Sequence, residues 1–172
     1  KKDFPIVIDE AMKVTSYGSL LKVCKDLLHE KIPIIDMLTI IEAVADIAEF
    51  TKVPEILLEH VRAKLYRLIT QKYKDTDGVL HIITIKPELE QQFIGKLQEH
   101  HGVSQLMISI AEINNLVTKT KKLLDDIEAK GFSKITMVVD PVLRKRISEI
   151  YEKFGLQVSV LSHAELDSKA NF

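Results

Sequence analysis

The hydrophobic pattern of this 172-residue chain changes its period at the turn cluster Asp75-Thr76-Asp77-Gly78. Before the cluster, apolar residues recur at spacings of three and four, which is typical of amphipathic helices. After it, short β-branched runs alternate with further helical segments, which is typical of an α/β layer. The sequence therefore predicts an α/β fold. A small helical bundle is followed by a small α/β subdomain with a three-stranded, partly parallel sheet.

Three regions are expected. Residues 1–18 are predicted to be an extended linker from a missing upstream subdomain, because Phe4-Pro5-Ile6-Val7-Ile8 is an extended pattern and the chain begins without Met. Residues 19–75 form the helical subdomain, and residues 76–172 form the α/β subdomain.

The helical subdomain is predicted to contain three helices. The first opens at Gly18 and ends before Pro33, because the residue before proline is pushed away from helical angles. The second begins at Asp36, whose carboxylate meets the positive end of the helix dipole. The third begins at Pro54, since proline suits the first turn of a helix. The inward stripes are Leu20, Leu21, Cys24, Leu27 and Leu28, then Met37, Leu38, Ile41, Val44, Ala45 and Ala48, then Leu58, Val61, Leu65, Leu68 and Ile69.

The α/β subdomain is predicted to contain strands over residues 79–85, 135–139 and 156–160. The last two flank a helix, and strands joined by such a crossover run parallel. Asp140-Pro141 provides an N-cap and a first-turn proline for that helix.

Two further helices are expected between the first and second strands. One starts at Pro87 and ends at Gly102, and a long one starts at Ser104 and ends at Gly131.

The charge balance disfavours several classes of function. Lys and Arg number 24 against 25 Asp and Glu, so no basic excess attracts nucleic acid or an anionic membrane. No apolar run approaches the roughly 20 residues of a membrane span. The glycines are scattered singly, without phosphate-loop or dinucleotide spacing, and no cofactor is expected.

Isolated side chains could carry chemistry, but simpler roles are favoured. His100 and His101 are adjacent on a predicted helix and point about 100° apart, so they do not share a metal ion easily. Cys24 lies on an apolar stripe and is expected to be buried. Arg144-Lys145-Arg146 is expected to be a solvated helix face.

One group of residues keeps an enzymatic alternative open. Asp140, Ser162 and His163 follow the carboxyl ends of predicted parallel strands, where α/β folds bind ligands. A nucleophile–base pair is conceivable there. However, Asp140 is also an N-cap, and Ser162 with Glu165 has capping-box spacing.

Several segments at fixed spacing resemble one family. They are Leu27-Leu28-His29-Glu30-Lys31-Ile32-Pro33-Ile34-Ile35-Asp36, Ile40-Ile41-Glu42-Ala43-Val44-Ala45-Asp46, Thr51-Lys52, Leu58-Glu59-His60-Val61-Arg62 and Val160-Leu161-Ser162-His163-Ala164-Glu165-Leu166. Together they resemble the cytoplasmic domain of flagellar export-gate proteins, a family shared with virulence type III secretion gates. One departure is Ile35, which stands where that family usually has arginine.

The resemblance implies a non-enzymatic role at the cytoplasmic face of the bacterial inner membrane, with membrane attachment only through a missing N-terminal region. It implies a ring of identical subunits that docks export chaperone–cargo complexes and components of the export ATPase complex. Candidate partner-binding residues are Thr15, Tyr17, Lys31, Asp36, Glu42 and Arg62. For the last four, capping and ion pairing within the subunit is the favoured alternative. An apolar Ile35 favours a packed turn beside Asp36.

Overall fold

The computed structural model describes residues 5–100 and 103–172. The chain divides into two compact units, with the boundary between Ile69 and Thr70. The sequence predicts the division somewhat later, at the turn cluster over residues 75–78. The difference has a local cause. The Thr70 hydroxyl donates to the carbonyl of Glu165 and accepts from the backbone N–H of Asp167, so Thr70 is held in the second unit.

The first unit is a bundle of α-helices. These are α1 (Pro5–Val14), α2 (Tyr17–His29), α3 (Met37–Ala48), α4 (Pro54–Lys64) and the start of α5 (Tyr66–Tyr73). Helix α3 packs against α1 and α4, and α4 also packs against α2. The core that they share consists of aliphatic side chains that water does not reach, among them Val23, Leu27, Ile40, Ile41, Val44, Leu57, Leu58 and Val61. The predicted bundle is therefore present, with additional helices.

The prediction of an extended segment over residues 1–18 is wrong for Pro5–Val14, which is helical. Proline at the first helical position lacks only an N–H that would have no partner there. Helix α1 packs against α3, and its Ala11 is buried. This packing outweighs the strand preference of the β-branched residues that follow Pro5. The proposal that a further subdomain precedes this segment stays a prediction.

Two details of the predicted helices also differ. Leu21 and Leu28 are exposed, because the face of α2 that packs inward is centred on Val23 and Leu27. The predicted third helix divides into α4 and α5 at Leu65. There the backbone N–H of Leu65 donates to both Val61 and Arg62, a tightening typical of a helix end.

The second unit contains a three-stranded sheet in the order β1-β4-β5, formed by β1 (His81–Thr84), β4 (Ile135–Val139) and β5 (Ser159–Ser162). Both strand pairs are parallel, so the sheet is parallel throughout. Helices α6 (Pro87–Ile94), α7 (Ile110–Glu128) and α8 (Pro141–Lys153) complete the layer. They enclose a core that includes Ile83, Phe93, Leu116, Met137, Leu143, Ile147 and Tyr151. The predicted α/β class is confirmed.

A β-hairpin replaces the predicted junction of two helices. Strands β2 (Leu97–His100) and β3 (Val103–Leu106) pair antiparallel, so Ser104 lies in a strand and caps no helix. His100 likewise lies in a strand, and the predicted helix end at Gly102, with His101, lies outside the described residues.

The N-cap of α7 is Ser109 instead of Ser104. Its side chain accepts from the N–H of Glu112, whose carboxylate accepts from the N–H of Ser109. This capping box satisfies two backbone donors and fixes the start of the helix. The helix therefore has 19 residues, shorter than predicted.

Candidate docking site

The loop between α2 and α3, residues 30–36, starts with a tight helix end. The N–H of Ile32 donates to the carbonyl of Leu27 at 2.8 Å, and the N–H of Lys31 donates to Leu28 at 2.9 Å. These two bonds define a Schellman motif, in which the residue after the cap adopts left-handed angles. Here that residue is Lys31, with φ of 60°. Glycine would adopt this backbone at lower cost, and the side chain of Lys31 is exposed.

Arg62 lies in the interior of the first unit. Its side chain is 1% exposed, and Nη1 donates to Oε2 of Glu30 at 2.6 Å, with Glu30 only 9% exposed. The pair joins α4 to the residue that caps α2. A buried charge requires such a partner, because its hydration is lost. The structure therefore gives Arg62 an internal role, the alternative that the sequence favours.

Asp36 is the N-cap of α3. Its carboxylate accepts from the backbone N–H of Thr39 at 3.1 Å and from the Thr39 hydroxyl at 2.8 Å. The expectation of a cap at the start of the second helix is thus confirmed by geometry. The expectation that Ile35 lies in a packed turn is wrong, because Ile35 is 81% exposed.

The other three candidate residues differ in accessibility. Tyr17 is 63% exposed at the start of α2, and helical spacing places it on the same side as the exposed Leu21 and Leu28. Glu42 is exposed on α3. Thr15 is half-buried, and its hydroxyl oxygen is enclosed, with no hydrogen-bond partner within the described part of the chain. Tyr17, Lys31 and Glu42 are therefore accessible, and the hydroxyl of Thr15 is not.

The residues of the enzymatic alternative do not assemble as a nucleophile and a base. Asp140 accepts from the N–H of Val142 as the N-cap of α8. The Ser162 hydroxyl is buried and donates to Oε1 of Glu165 at 3.3 Å, whereas His163 is exposed. A cleft of about 410 Å³ lies instead at the amino ends of β4 and β5, lined in part by Lys72, Glu128 and Lys134.

Sequence reasoning missed a buried polar cluster in the second unit. Nε of Arg144 lies 3.7 Å from Oε1 of Glu165, and both side chains are 1% exposed. Glu165 also receives the Ser162 bond. The expectation that Arg144-Lys145-Arg146 is a solvated face is therefore wrong at Arg144, and also at Arg146, whose side chain is only 14% exposed. The capping-box spacing of Ser162 and Glu165 brought these two side chains into the prediction, but it gave no signal for the contact with Arg144.

Other features limit the chemistry of the described residues. Cys24 is buried as predicted, and burial raises the pKa of its thiol, which disfavours the reactive thiolate.

Across residues 5–100 and 103–172, no three His, Cys, Asp or Glu side chains come together as metal ligands. In the same ranges, no helix has both the length and the apolar character to cross a membrane.

The family model for FHIPEP matches residues 1–171. The chain belongs to the FHIPEP family. The flagellar biosynthesis protein FlhA of Helicobacter pylori is 39% identical over 172 residues. That alignment covers 99% of this FHIPEP chain and 23% of the relative, so the chain spans about a quarter of the relative's length.

Solved structures share the fold of this FHIPEP chain. The nonameric SctV-C of EPEC superposes with a TM-score of 0.86 at 19% identity, covering 99% of this chain and 51% of that one. The Chlamydia pneumoniae CdsV and CdsO complex gives a TM-score of 0.83 at 21% identity, covering 99% and 50%. These matches show that this chain has the same fold as the two solved proteins.

Proposed function

We propose that this chain is the ring-forming and docking portion of a flagellar type III protein export gate, at the cytoplasmic face of the bacterial inner membrane. The observation that carries the proposal is the 39% identity to a flagellar FlhA along almost the whole chain. The fold shared with a nonameric relative supports self-association into a ring. A relative solved with a second protein, CdsO, supports docking of a partner. The partners proposed are export chaperone–cargo complexes and components of the export ATPase complex, and the role is non-enzymatic.

The α2–α3 loop is the docking surface that we favour. Lys31 keeps a left-handed backbone that costs an ordinary residue about 1–2 kcal/mol, whereas glycine pays no such cost. A strained residue that persists can be a sign of a function for its side chain. Four residues later, Ile35 presents an aliphatic side chain to solvent. A cation and an apolar side chain on one short loop suit a partner segment that carries an acidic and an apolar residue.

The docking proposal predicts that a substitution at Lys31 can increase the stability of the chain and at the same time weaken partner binding. Lys31→Gly should raise the free energy of unfolding of the 172-residue chain by about 0.5–1 kcal/mol, because the relieved strain exceeds the added entropy of glycine. The same change, made in the full-length protein in its own bacterium, should reduce recovery of export components in affinity pull-downs. Lys31→Arg is the matched control and should keep recovery, since it retains the charge. Unchanged recovery with Lys31→Gly would remove Lys31 from the docking surface.

Ile35→Ser tests the apolar part of the surface. The side chain is exposed, so thermal unfolding should change little, while recovery of partners should fall. Pull-downs of the unchanged full-length protein that recover no chaperone and no ATPase-complex component would remove the proposed function itself.

A further inference from the structure

His60 lies on α4, within the bundle of the first unit. Its ring is partly buried, and Nε2 is enclosed, without a hydrogen-bond partner among residues 5–100 and 103–172. An enclosed ring nitrogen without a partner tolerates neutral imidazole better than imidazolium, which must donate from both nitrogens. The site therefore favours the neutral form of His60.

The charged groups around His60 come from two helices. Lys64 lies one turn further along α4, and Asp46 lies on α3. The ammonium of Lys64 is 4.0 Å from Oδ2 of Asp46, so the carboxylate that could balance an imidazolium already faces a cation. Helix α2 also packs against α4, but its capping residue Glu30 pairs with Arg62.

Electrostatics act in the same direction as the geometry. Burial, followed by the positive charge of Lys64, lowers the pKa of His60 from its ordinary 6.5, and Asp46 opposes this only in part. Protonation of His60 within the folded bundle is disfavoured.

We propose that the packing of α3 and α4 around His60 is sensitive to acid. With a neutral ring the two helices pack as observed. When the ring takes a proton, a cation stands in a partly desolvated position beside Lys64, and the helical unit loosens. The stability of this helical unit would then depend on the local pH.

The direction of the pH dependence follows from linkage. The unfolded chain binds a proton at His60 before the folded chain does, because the folded pKa is the lower one. The stabilising effect of the neutral ring is therefore fully present above about pH 6.5. It is lost as the pH falls through the lowered pKa of the folded state.

The test compares thermal unfolding of the 172-residue chain between about pH 7 and about pH 5, a range in which histidine changes charge. The midpoint of the unchanged protein should fall more than that of His60→Gln, whose side chain stays neutral. His163→Gln, at an exposed histidine, is the matched control and should follow the unchanged protein. Equal falls for the unchanged protein and His60→Gln would overturn the proposal.

A second measurement guards against a His60→Gln chain that does not fold. The ring signals of His60 can be followed by NMR in the unchanged protein. The proposal requires a titration midpoint below the ordinary value, accompanied by shifts in amides of α3 and α4. Titration at or above the ordinary value, with those amides unmoved, would contradict it.

Discussion

Arg62→Met tests whether the ion pair of the first unit acts inside the bundle. The change leaves the Glu30 carboxylate, 9% exposed, without the guanidinium that lies 2.6 Å away. Removing one member of a buried ion pair costs about 3–5 kcal/mol, because the remaining charge loses its partner and does not regain water. A domain of ordinary stability has about 5–15 kcal/mol in total. The variant should therefore unfold at a much lower urea concentration.

Two further variants sharpen the test. Arg62→Met combined with Glu30→Met removes both charges and should recover most of the loss, since apolar replacement of a buried pair is often neutral or stabilising. Arg67→Met is the matched control. Its guanidinium is exposed and stacks on Tyr66 at 5.3 Å, so the change should cost less than about 1 kcal/mol. An Arg62→Met loss as small as that of Arg67→Met would refute an internal role for Arg62.

Other predictions concern single contacts. Ile41→Asp should cost about 3 kcal/mol or more in urea unfolding, because it places a carboxylate in the core where Ile41 is 4% exposed. For Asp36→Asn, the free energy of unfolding should stay within about 0.5 kcal/mol of the unchanged chain, because asparagine also caps a helix. Asp36→Ala removes the cap and should lower the free energy of unfolding by about 1 kcal/mol, as measured by thermal unfolding. Tyr151→Phe should cost about 1–2 kcal/mol, since it leaves the buried Thr120 hydroxyl without its partner at 2.9 Å. Hydrogen bonds from the Lys96 ammonium first, and then from Ser109 in the capping box, lower the pKa of Glu112 to about 2 from its ordinary 4.5. The stabilisation that these bonds give should be lost as the pH falls from about 4.5 to about 2, and Glu112→Gln should remove that dependence in acid titrations.

Strong local signals made much of the fold predictable. Proline and an N-cap aspartate mark the start of α8, and the β-branched run over residues 135–139 forms β4 at the predicted bounds. The Asp36 cap is equally predictable from the sequence, because capping depends on residues a few positions apart. Such elements follow from the sequence alone.

Features that depend on distant residues were not predictable. The hairpin of β2 and β3 has weak strand composition, so a continuing helix was the natural expectation. Burial of Arg144 depends on Glu165, which is far along the chain and reaches it only through the fold. The exposure of Ile35 was missed for a related reason. An apolar residue is no guarantee of burial, because a folded surface contains much apolar area.

Secretion by living cells tests the proposed function most directly. In the bacterium that carries the gene, the codons for these 172 residues can be deleted in frame from the full-length gene, and flagellar filament protein in the medium can be measured. We predict that secretion is lost while the shortened protein is still made, and that the intact gene restores secretion. Normal secretion of filament protein by the deleted strain would contradict a docking and ring-forming role in the export gate.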